Sequence, residues 1–139
     1  MEVISLKIKK YLRKLGEPTI IRSLKEMKSV LYDQKWYKKA KNFPVYYVWR
    51  GVKWEGDLRY DITIIPPKML GQEFPKTKGH HHLNHFQELY QVLEGETFYF
   101  IQKGKGKNVK DCYVIKAKKG DFIIIPFNAG HLKIGRAHV

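Results

Sequence analysis

The amino-acid sequence predicts an all-β domain, either a sandwich or a small barrel. Beyond Phe43 the chain contains short segments rich in β-branched and aromatic residues, and most of them are bounded by Gly, Pro or Asn. Turn-forming residues separate these segments, as in Pro66-Pro67 and in residues 104–108. Regular short strands joined by tight turns are typical of a sandwich or barrel.

The first 42 residues are predicted to form a basic N-terminal extension. One short helix is expected there, near residues 23–40, because Leu24, Met27 and Leu31 recur at helical spacing. A β-barrel is expected to occupy residues 43–133. Its predicted strands are residues 45–49, 58–65, 88–93, 97–101, 112–115 and 121–125.

Strict alternation in residues 58–64 places apolar side chains on one face and Arg59, Asp61 and Thr63 on the other. The polar face could meet solvent or line a ligand cavity. In a small antiparallel barrel with a wet interior, it would line the cavity.

The formal net charge of +14 makes nucleic acid a candidate partner. The lysines, however, are spread along the chain, without a recognition motif or the interleaved aromatic residues of RNA-binding sheets. A lysine-rich solvated surface, or a field that attracts an anionic metabolite, explains the charge with fewer assumptions. We therefore expect no nucleic-acid partner.

Cysteine usage and hydropathy indicate a soluble cytoplasmic protein. The single cysteine, Cys112, excludes an internal disulfide and a Cys-based zinc cluster, so a bound metal must be held by His and carboxylate side chains. No window approaches the ~20 apolar residues that span a bilayer. Residues 1–7 lack the apolar centre of a signal peptide. We expect no membrane partner.

One short segment holds four histidines and a carboxylate. If it is extended, His80 and His82 share a face, about 7 Å apart at Cβ, whereas His81 points away. Glu88 begins an apolar run whose hairpin partner would bring the carboxylate back beside these histidines. His131 comes from a distant segment, after a buried strand and a Pro-led turn. Three imidazoles and one carboxylate leave one or two positions open on an octahedral metal, as catalysis on a bound oxygen requires.

A plainer interpretation of this segment remains open. A histidine-rich loop often only scavenges metal, and a lone Glu88 is more often a solvated strand residue than a ligand. His81 and His85 are not expected to be ligands, although His81 could take a ligand's role if the strand register shifted by one residue. His-x-His alone is a weak signal, and its strength comes from the second segment, which ends at His131.

The two histidine segments resemble the two motifs of the cupin superfamily. The first reads His80-x-His82, five residues, Glu88, then six residues to Gly95. The second reads Gly120, five residues, Pro126, four residues, His131. Asn128 stands where many members have glycine. The resemblance implies a cupin fold, a double-stranded β-helix or jelly-roll barrel.

A narrower resemblance surrounds these motifs. Glu55-Gly56-Asp57-Leu58, Gly71-x-Glu73-Phe74 and Thr77-Lys78-Gly79-His80 resemble the cupin-type glucose-6-phosphate isomerases, best known from archaea. The likeness runs from about Arg22 to His131. In one departure, the gap between His82 and Glu88 is one residue shorter than in the archaeal enzyme, which bears on how Glu88 is aimed.

The narrower resemblance implies a chemistry and a set of site residues. The chemistry is aldose–ketose isomerisation of glucose 6-phosphate and fructose 6-phosphate, a reaction of glycolysis and gluconeogenesis, in a homodimer. The metal would be Fe²⁺, with Mn²⁺, Zn²⁺ or Ni²⁺ as alternatives. The implied metal ligands are His80, His82, Glu88 and His131, with Glu88 also catalytic, and the implied substrate-binding residues are Thr63, Thr77, Gly79 and Tyr46.

Two other functions are compatible with the same ligand set. One is another cupin chemistry, such as that of an oxygenase. The other is a cupin that binds a metal and a sugar phosphate without catalysis. Oxygen uptake would identify the first, and affinity for a sugar phosphate without conversion would identify the second.

The last six residues, 134–139, are expected to be foreign. They are what the string ATC GGA AGA GCA CAC GTC encodes, which resembles a widely used sequencing adapter read in frame. We therefore expect the natural sequence in this chain to end near Lys133. The barrel would then be incomplete at its C-terminal end, and the fragment could be inactive.

Overall fold

The computed structural model describes residues 6–81, 87–104, 106–126 and 129–135. Among these residues, strands are more than twice as common as helices. All strand pairs among the described residues are antiparallel. The predicted all-β class is confirmed. Antiparallel sheets with few helices are consistent with a cupin-like fold.

All of the predicted strands are present, and further short elements join them. The helices are α1 (Leu6–Leu15) and α2 (Gln34–Lys39), and short 3-10 helices form at Lys25–Val30 and Gly106–Asn108. The strands are β1 (Ile20–Ser23), β2 (Pro44–Glu55), β3 (Leu58–Ile64), β4 (His80–His81), β5 (Glu88–Gln91), β6 (Glu96–Lys103), β7 (Asp111–Lys118), β8 (Phe122–Ile125) and β9 (Ala129–Gly135).

The chain divides into two compact units, Met1–Pro75 and Lys76–Val139. The first contains a three-stranded sheet in the order β1-β2-β3. The second contains a four-stranded sheet in the order β4-β9-β6-β7 and the two-stranded sheet β5-β8. The predicted division into an extension, a barrel and a foreign tail remains a prediction.

In the first unit, the helix expected near residues 23–40 forms as two shorter pieces. Leu31 is extended, with φ −83° and ψ 133°, and ends the 3-10 helix. Asp33 then caps α2, because its Oδ1 accepts the Trp36 N–H at 2.9 Å. An aspartate at this position satisfies an N–H that the first helical turn leaves unpaired, and so it favours a new helix start.

The residues that predicted this helix belong to the core of the first unit. Their helical spacing therefore indicated that these side chains are buried, although the backbone around them is not one continuous helix. The core consists of Leu24, Met27, Leu31, Val45, Tyr46 and Leu70.

The polar face of β3 meets solvent at Arg59 and Asp61. The Arg59 guanidinium donates to both carboxylate oxygens of Asp61, at 2.9 and 2.8 Å, and the Gly51 N–H donates to the same carboxylate. Both residues are exposed, so this part of the strand faces solvent among the residues that the structure describes. Thr63, on the same predicted face, is half-buried.

In the second unit, alternate residues of both sheets share one core. Tyr99 and Ile101 of β6 are buried, and so are Ile123 and Ile125 of β8. Phe122, their neighbour in β8, is exposed. This period of two places the inner faces of the two sheets around a common interior, as in a small sandwich or barrel.

The end of β9 continues the four-stranded sheet by pairing with β6. Ile134 and Gly135 lie opposite Phe98 and Thr97 of β6. Because ladder hydrogen bonds are made by the backbone, a short added segment can extend a strand whatever its origin. The foreign origin of residues 134–139 remains a prediction.

No helix in the part of the chain that the structure describes is both long and apolar enough to cross a membrane.

The buried Tyr99 of β6 makes the stability of the second unit depend on pH. Burial raises the pKa of the Tyr99 hydroxyl from 10.0 to about 12. Tyr99 therefore ionises near pH 10 in the unfolded chain but stays protonated in the folded one. The stability that the protonated Tyr99 contributes is therefore fully present below pH 10. As pH rises towards 12 this stability is lost, which lowers the free energy of unfolding by about 1–3 kcal/mol.

Urea unfolding of the wild type and Tyr99→Phe at several pH values measures this loss. The difference in unfolding free energy between the two proteins should be constant below pH 10 and should fall above it. A difference that stays constant to pH 11.5 would contradict the burial effect.

Candidate functional site

Strand alternation in β5 places Glu88 and Tyr90 on the inner face of the second unit. Glu88 lies opposite Ile125 of β8, and Tyr90 lies opposite Ile123, both of which are buried. Leu89, between them, is 65% exposed. Residues directly opposite each other in a ladder share a face, so Glu88 and Tyr90 point into the core side of the sheet.

His131 of β9 meets this pair. The Tyr90 hydroxyl donates to Glu88 Oε2, and the same hydroxyl oxygen lies 3.2 Å from His131 Nε2. His131 Nε2 lies 3.4 Å from Glu88 Oε2. His131 is only 4% exposed, so its imidazole is shielded from bulk water, whereas the Glu88 side chain is half-buried. An acidic and an imidazole side chain from two strands thus converge on one point.

The histidine segment approaches the same point through β4. His80 pairs with His131 in the β4–β9 ladder, and His81 pairs with Gly130. Directly opposite residues are the closest cross-strand neighbours in an antiparallel pair. His82 and His85 lie outside the described residues, so their roles remain predictions.

Gly79 and Thr77 connect the histidine segment to β9. Gly79 has φ +86°, and a Cβ there would meet the His131 carbonyl oxygen and the Leu132 Cβ, each at 3.3 Å. The Thr77 N–H donates to the Lys133 carbonyl at 2.9 Å, and Thr77 Oγ1 accepts the Lys133 N–H at 3.0 Å. Glycine is required at 79 because the chain needs both a left-handed backbone and a close approach to β9.

Gly79→Ala is expected to destabilise the protein by about 2 kcal/mol, because it adds both left-handed strain and the contacts with β9. Gly95→Ala is the matched control, since Gly95 has φ +74° and a Cβ added there would meet nothing within 4 Å. It should cost only about 1 kcal/mol for the backbone strain. Thermal unfolding measures both, and equal effects would show that the close approach at Gly79 carries no energy.

The other predicted substrate residues belong to the first unit. Tyr46 is 6% exposed and forms part of that unit's core. Thr63 lies in β3 opposite Val48. Their assignment to substrate binding remains a prediction.

Two residues at the cluster were missed from the sequence. Tyr90 contacts both Glu88 and His131, as described above, and Lys133 Nζ lies 4.5 Å from the centroid of the Tyr90 ring. Each is two positions beyond a predicted ligand, Tyr90 after Glu88 and Lys133 after His131. The period of two along a strand would have found both.

The cluster fits a divalent metal in part. Two ligand atoms of one cation, each about 2.1 Å from it, lie about 3 to 3.5 Å apart, and the separation of Glu88 Oε2 and His131 Nε2 is within that range. Carboxylate oxygen and imidazole nitrogen suit Fe²⁺, Mn²⁺ and Zn²⁺. Among the described residues alone, no group of three or more His, Cys, Asp or Glu side chains could hold a metal. The complete ligand set remains a prediction.

Comparison with known proteins identifies a family that the chain resembles. The family model for glucose-6-phosphate isomerase matches residues 21–138. The glucose-6-phosphate isomerase of Thermococcus gammatolerans is 32% identical over 97 residues, 66% of this chain and 51% of that protein. The Pyrococcus abyssi enzyme is 34% identical over 99 residues, 66% of this chain and 52% of that protein.

A longer match is found with the glucose-6-phosphate isomerase of Pyrococcus furiosus, which is 30% identical over 117 residues, 80% of this chain and 60% of that protein. The chain thus spans about half the length of the first two relatives. The family model covers most of the chain, including Glu88, Tyr90 and His131. The chain belongs to the glucose-6-phosphate isomerase family.

Proposed function

We propose that the protein is a metal-dependent isomerase that interconverts glucose 6-phosphate and fructose 6-phosphate in the cytoplasm. Family membership supports the reaction. The observation that carries the site is the 3.4 Å approach of Glu88 Oε2 and His131 Nε2, with the Tyr90 hydroxyl in contact with both atoms. These side chains come from β5 and β9, so folding of the second unit assembles them.

In this proposal, His80, His82, Glu88 and His131 hold the metal, with Fe²⁺ as the native ion. When bound, the divalent cation supplies a Lewis acid for the oxygens on C1 and C2 of the open-chain sugar. The backbone pairing of His80 with His131 supports a shared role for these two residues. Burial of His131 supports a site in which this imidazole is shielded from water.

Glu88 is the proposed base. Its carboxylate accepts a proton from C1 of fructose 6-phosphate and returns it to C2, while the hydroxyl proton passes from O1 to O2. Tyr90 acts as a positioning residue, because its hydroxyl donates to Glu88 Oε2 and fixes the direction of that oxygen. A base oriented in advance loses less entropy when the sugar binds.

Thr77, Gly79, Thr63 and Tyr46 are proposed to hold the sugar phosphate. Thr77 Oγ1 accepts the Lys133 N–H, and its own O–H can donate to a phosphate oxygen. Gly79 lets the backbone approach a phosphate closely. The half-buried position of Thr63 in β3 is compatible with a ligand contact.

A homodimer is proposed as the working form. The outer face of the β5–β8 sheet exposes Leu89, Phe122 and Ile124. Leu89 and Ile124 lie directly opposite each other, so these side chains form one apolar patch. Such patches commonly mark contacts with another chain. Light scattering that gives twice the mass of one chain would support this part of the proposal.

A coupled assay tests the reaction. The protein, loaded with Fe²⁺ or Mn²⁺, should convert fructose 6-phosphate into glucose 6-phosphate, which a dehydrogenase then reports. Activity that survives His80→Ala and Glu88→Ala together would contradict the proposed site. Binding of fructose 6-phosphate without conversion, or oxygen uptake by the Fe²⁺ form, would contradict the isomerase and favour the binding or oxygenase function.

A further inference from the structure

Lys133 carries a positive charge into the interior side of the second unit. In the β6–β9 ladder it lies opposite Tyr99, and His131 lies opposite Ile101. Both β6 partners are buried, so Lys133 shares the inner face with His131. It is half-buried, and its Nζ lies 4.5 Å from the centroid of the Tyr90 ring.

The Tyr90 ring holds this ammonium beside the cluster. A cation above an aromatic face is attracted by the ring's negative face, and the attraction grows as water is removed. Most lysines extend their ammonium into bulk water, as the exposed Lys116 of β7 does. A lysine that lies along the inner face next to Glu88, Tyr90 and His131 therefore brings charge to the site itself.

Lys133 is also the direct cross-strand neighbour of Thr77. The two residues share the backbone hydrogen bond from the Thr77 N–H and the bond from the Lys133 N–H to Thr77 Oγ1, at 2.9 and 3.0 Å. Thr77 is a proposed phosphate-binding residue. A residue with a hydroxyl donor and a residue with an ammonium are thus joined directly through these two bonds, and the two donor types together suit phosphate oxygens.

We propose that the Lys133 ammonium binds the phosphate of the sugar phosphate. The inference rests on the proposed function, because it names the cation that recognises the substrate's anionic end in that same site. Lysine binds phosphate as a point charge with rotatable donors, so its affinity comes from charge and from one or two hydrogen bonds. The reacting carbons are then left to Glu88 and the groups around it.

Steady-state kinetics on Lys133→Met tests this assignment. Methionine keeps the length of the side chain and removes the charge. KM for fructose 6-phosphate should rise roughly 10- to 100-fold, with kcat within about threefold of the wild type, because the lost contact is made equally in the ground and transition states. Lys133→Arg should keep KM within about fivefold of the wild type, since the charge remains.

Lys116→Met is the matched control. It makes the same substitution and removes the same charge from the opposite face of the sheet, so its KM should equal that of the wild type. A Lys133→Met protein with unchanged KM would overturn the inference. So would a protein whose kcat falls while KM stays constant, because the ammonium would then act on the reacting oxygens.

Calorimetry with inorganic phosphate and fructose 6-phosphate separates this inference from the isomerase proposal. Weaker binding of both by Lys133→Met, but not by Lys116→Met, supports the phosphate contact even if the wild type converts no substrate. A wild type that binds fructose 6-phosphate but does not convert it would overturn only the isomerase proposal. Conversion by the wild type with equal phosphate binding by all variants would overturn only the role of Lys133.

Discussion

Glu88→Gln should lower kcat for fructose 6-phosphate by about a thousandfold while leaving the second unit folded. Loss of a positioned base typically costs 10²- to 10⁴-fold, and the amide cannot accept a proton from carbon. Glutamine keeps the volume of the side chain, and the Tyr90 hydroxyl can still donate to the amide oxygen. The fold should therefore survive, because Glu88 is only half-buried in β5.

Two readouts accompany this variant. In heavy water, the wild type should incorporate solvent deuterium at the carbon that receives the proton, and Glu88→Gln should show no faster incorporation than the uncatalysed reaction. Glu94→Gln is the matched control, because Glu94 pairs with Lys119 at 3.2 Å outside the cluster. A Glu88→Gln protein with more than about a tenth of the wild-type kcat would remove Glu88 as the base.

Tyr90→Phe is an intermediate case that shows how the cluster is organised. It removes only the hydroxyl that donates to Glu88 Oε2. Loss of such an outer partner typically costs 10- to 100-fold in activity or metal affinity. The effect should fall on kcat and on Mn²⁺ affinity, with KM unchanged.

His131→Ala should lower the affinity for Mn²⁺ by more than about 100-fold, beyond what the loss of an outer partner costs. The imidazole is almost completely buried and its Nε2 faces Glu88 Oε2, so the substitution removes a ligand from the inner side of the site. Calorimetric titration with Mn²⁺ and metal analysis of the purified protein measure the change. Activity should fall in parallel.

A cavity control is needed because His131 is buried. Ile101 lies directly opposite His131 in the ladder and is 0% exposed. Ile101→Ala should destabilise the fold by about 2–5 kcal/mol through the cavity it leaves, while Mn²⁺ affinity remains close to that of the wild type. Equal loss of metal in both variants would mean that His131→Ala acts through packing.

Composition and period located most of the sheet from the sequence. The segments rich in β-branched and aromatic residues became β2, β3, β5, β6, β7 and β8. By contrast, β9 was not predicted, because Ala129, Gly130 and Gly135 have low strand propensity. It forms because β4 and β6 pair with it on its two sides. Tertiary pairing of this kind leaves no local signal in the sequence.

Only some of the clustered side chains were predicted from the sequence. Glu88 and His131 were found because motif spacing identifies them, and the structure brings them together. Tyr90 and Lys133 were not, because no motif includes them and each also suits an ordinary strand. The helix α1 was also missed. Its half-buried Leu12 and Leu15 have helical spacing, but the many lysines around them obscured the apolar pattern.

A structure of the Mn²⁺-loaded protein, with the metal located by anomalous scattering, tests the central claim most directly. We expect one metal ion with Glu88 and His131 both bound at about 2.0–2.2 Å, and with His80 and His82 completing its protein ligands. A metal ion bound to the histidine segment alone, with His131 Nε2 more than about 3 Å away, would contradict the shared site.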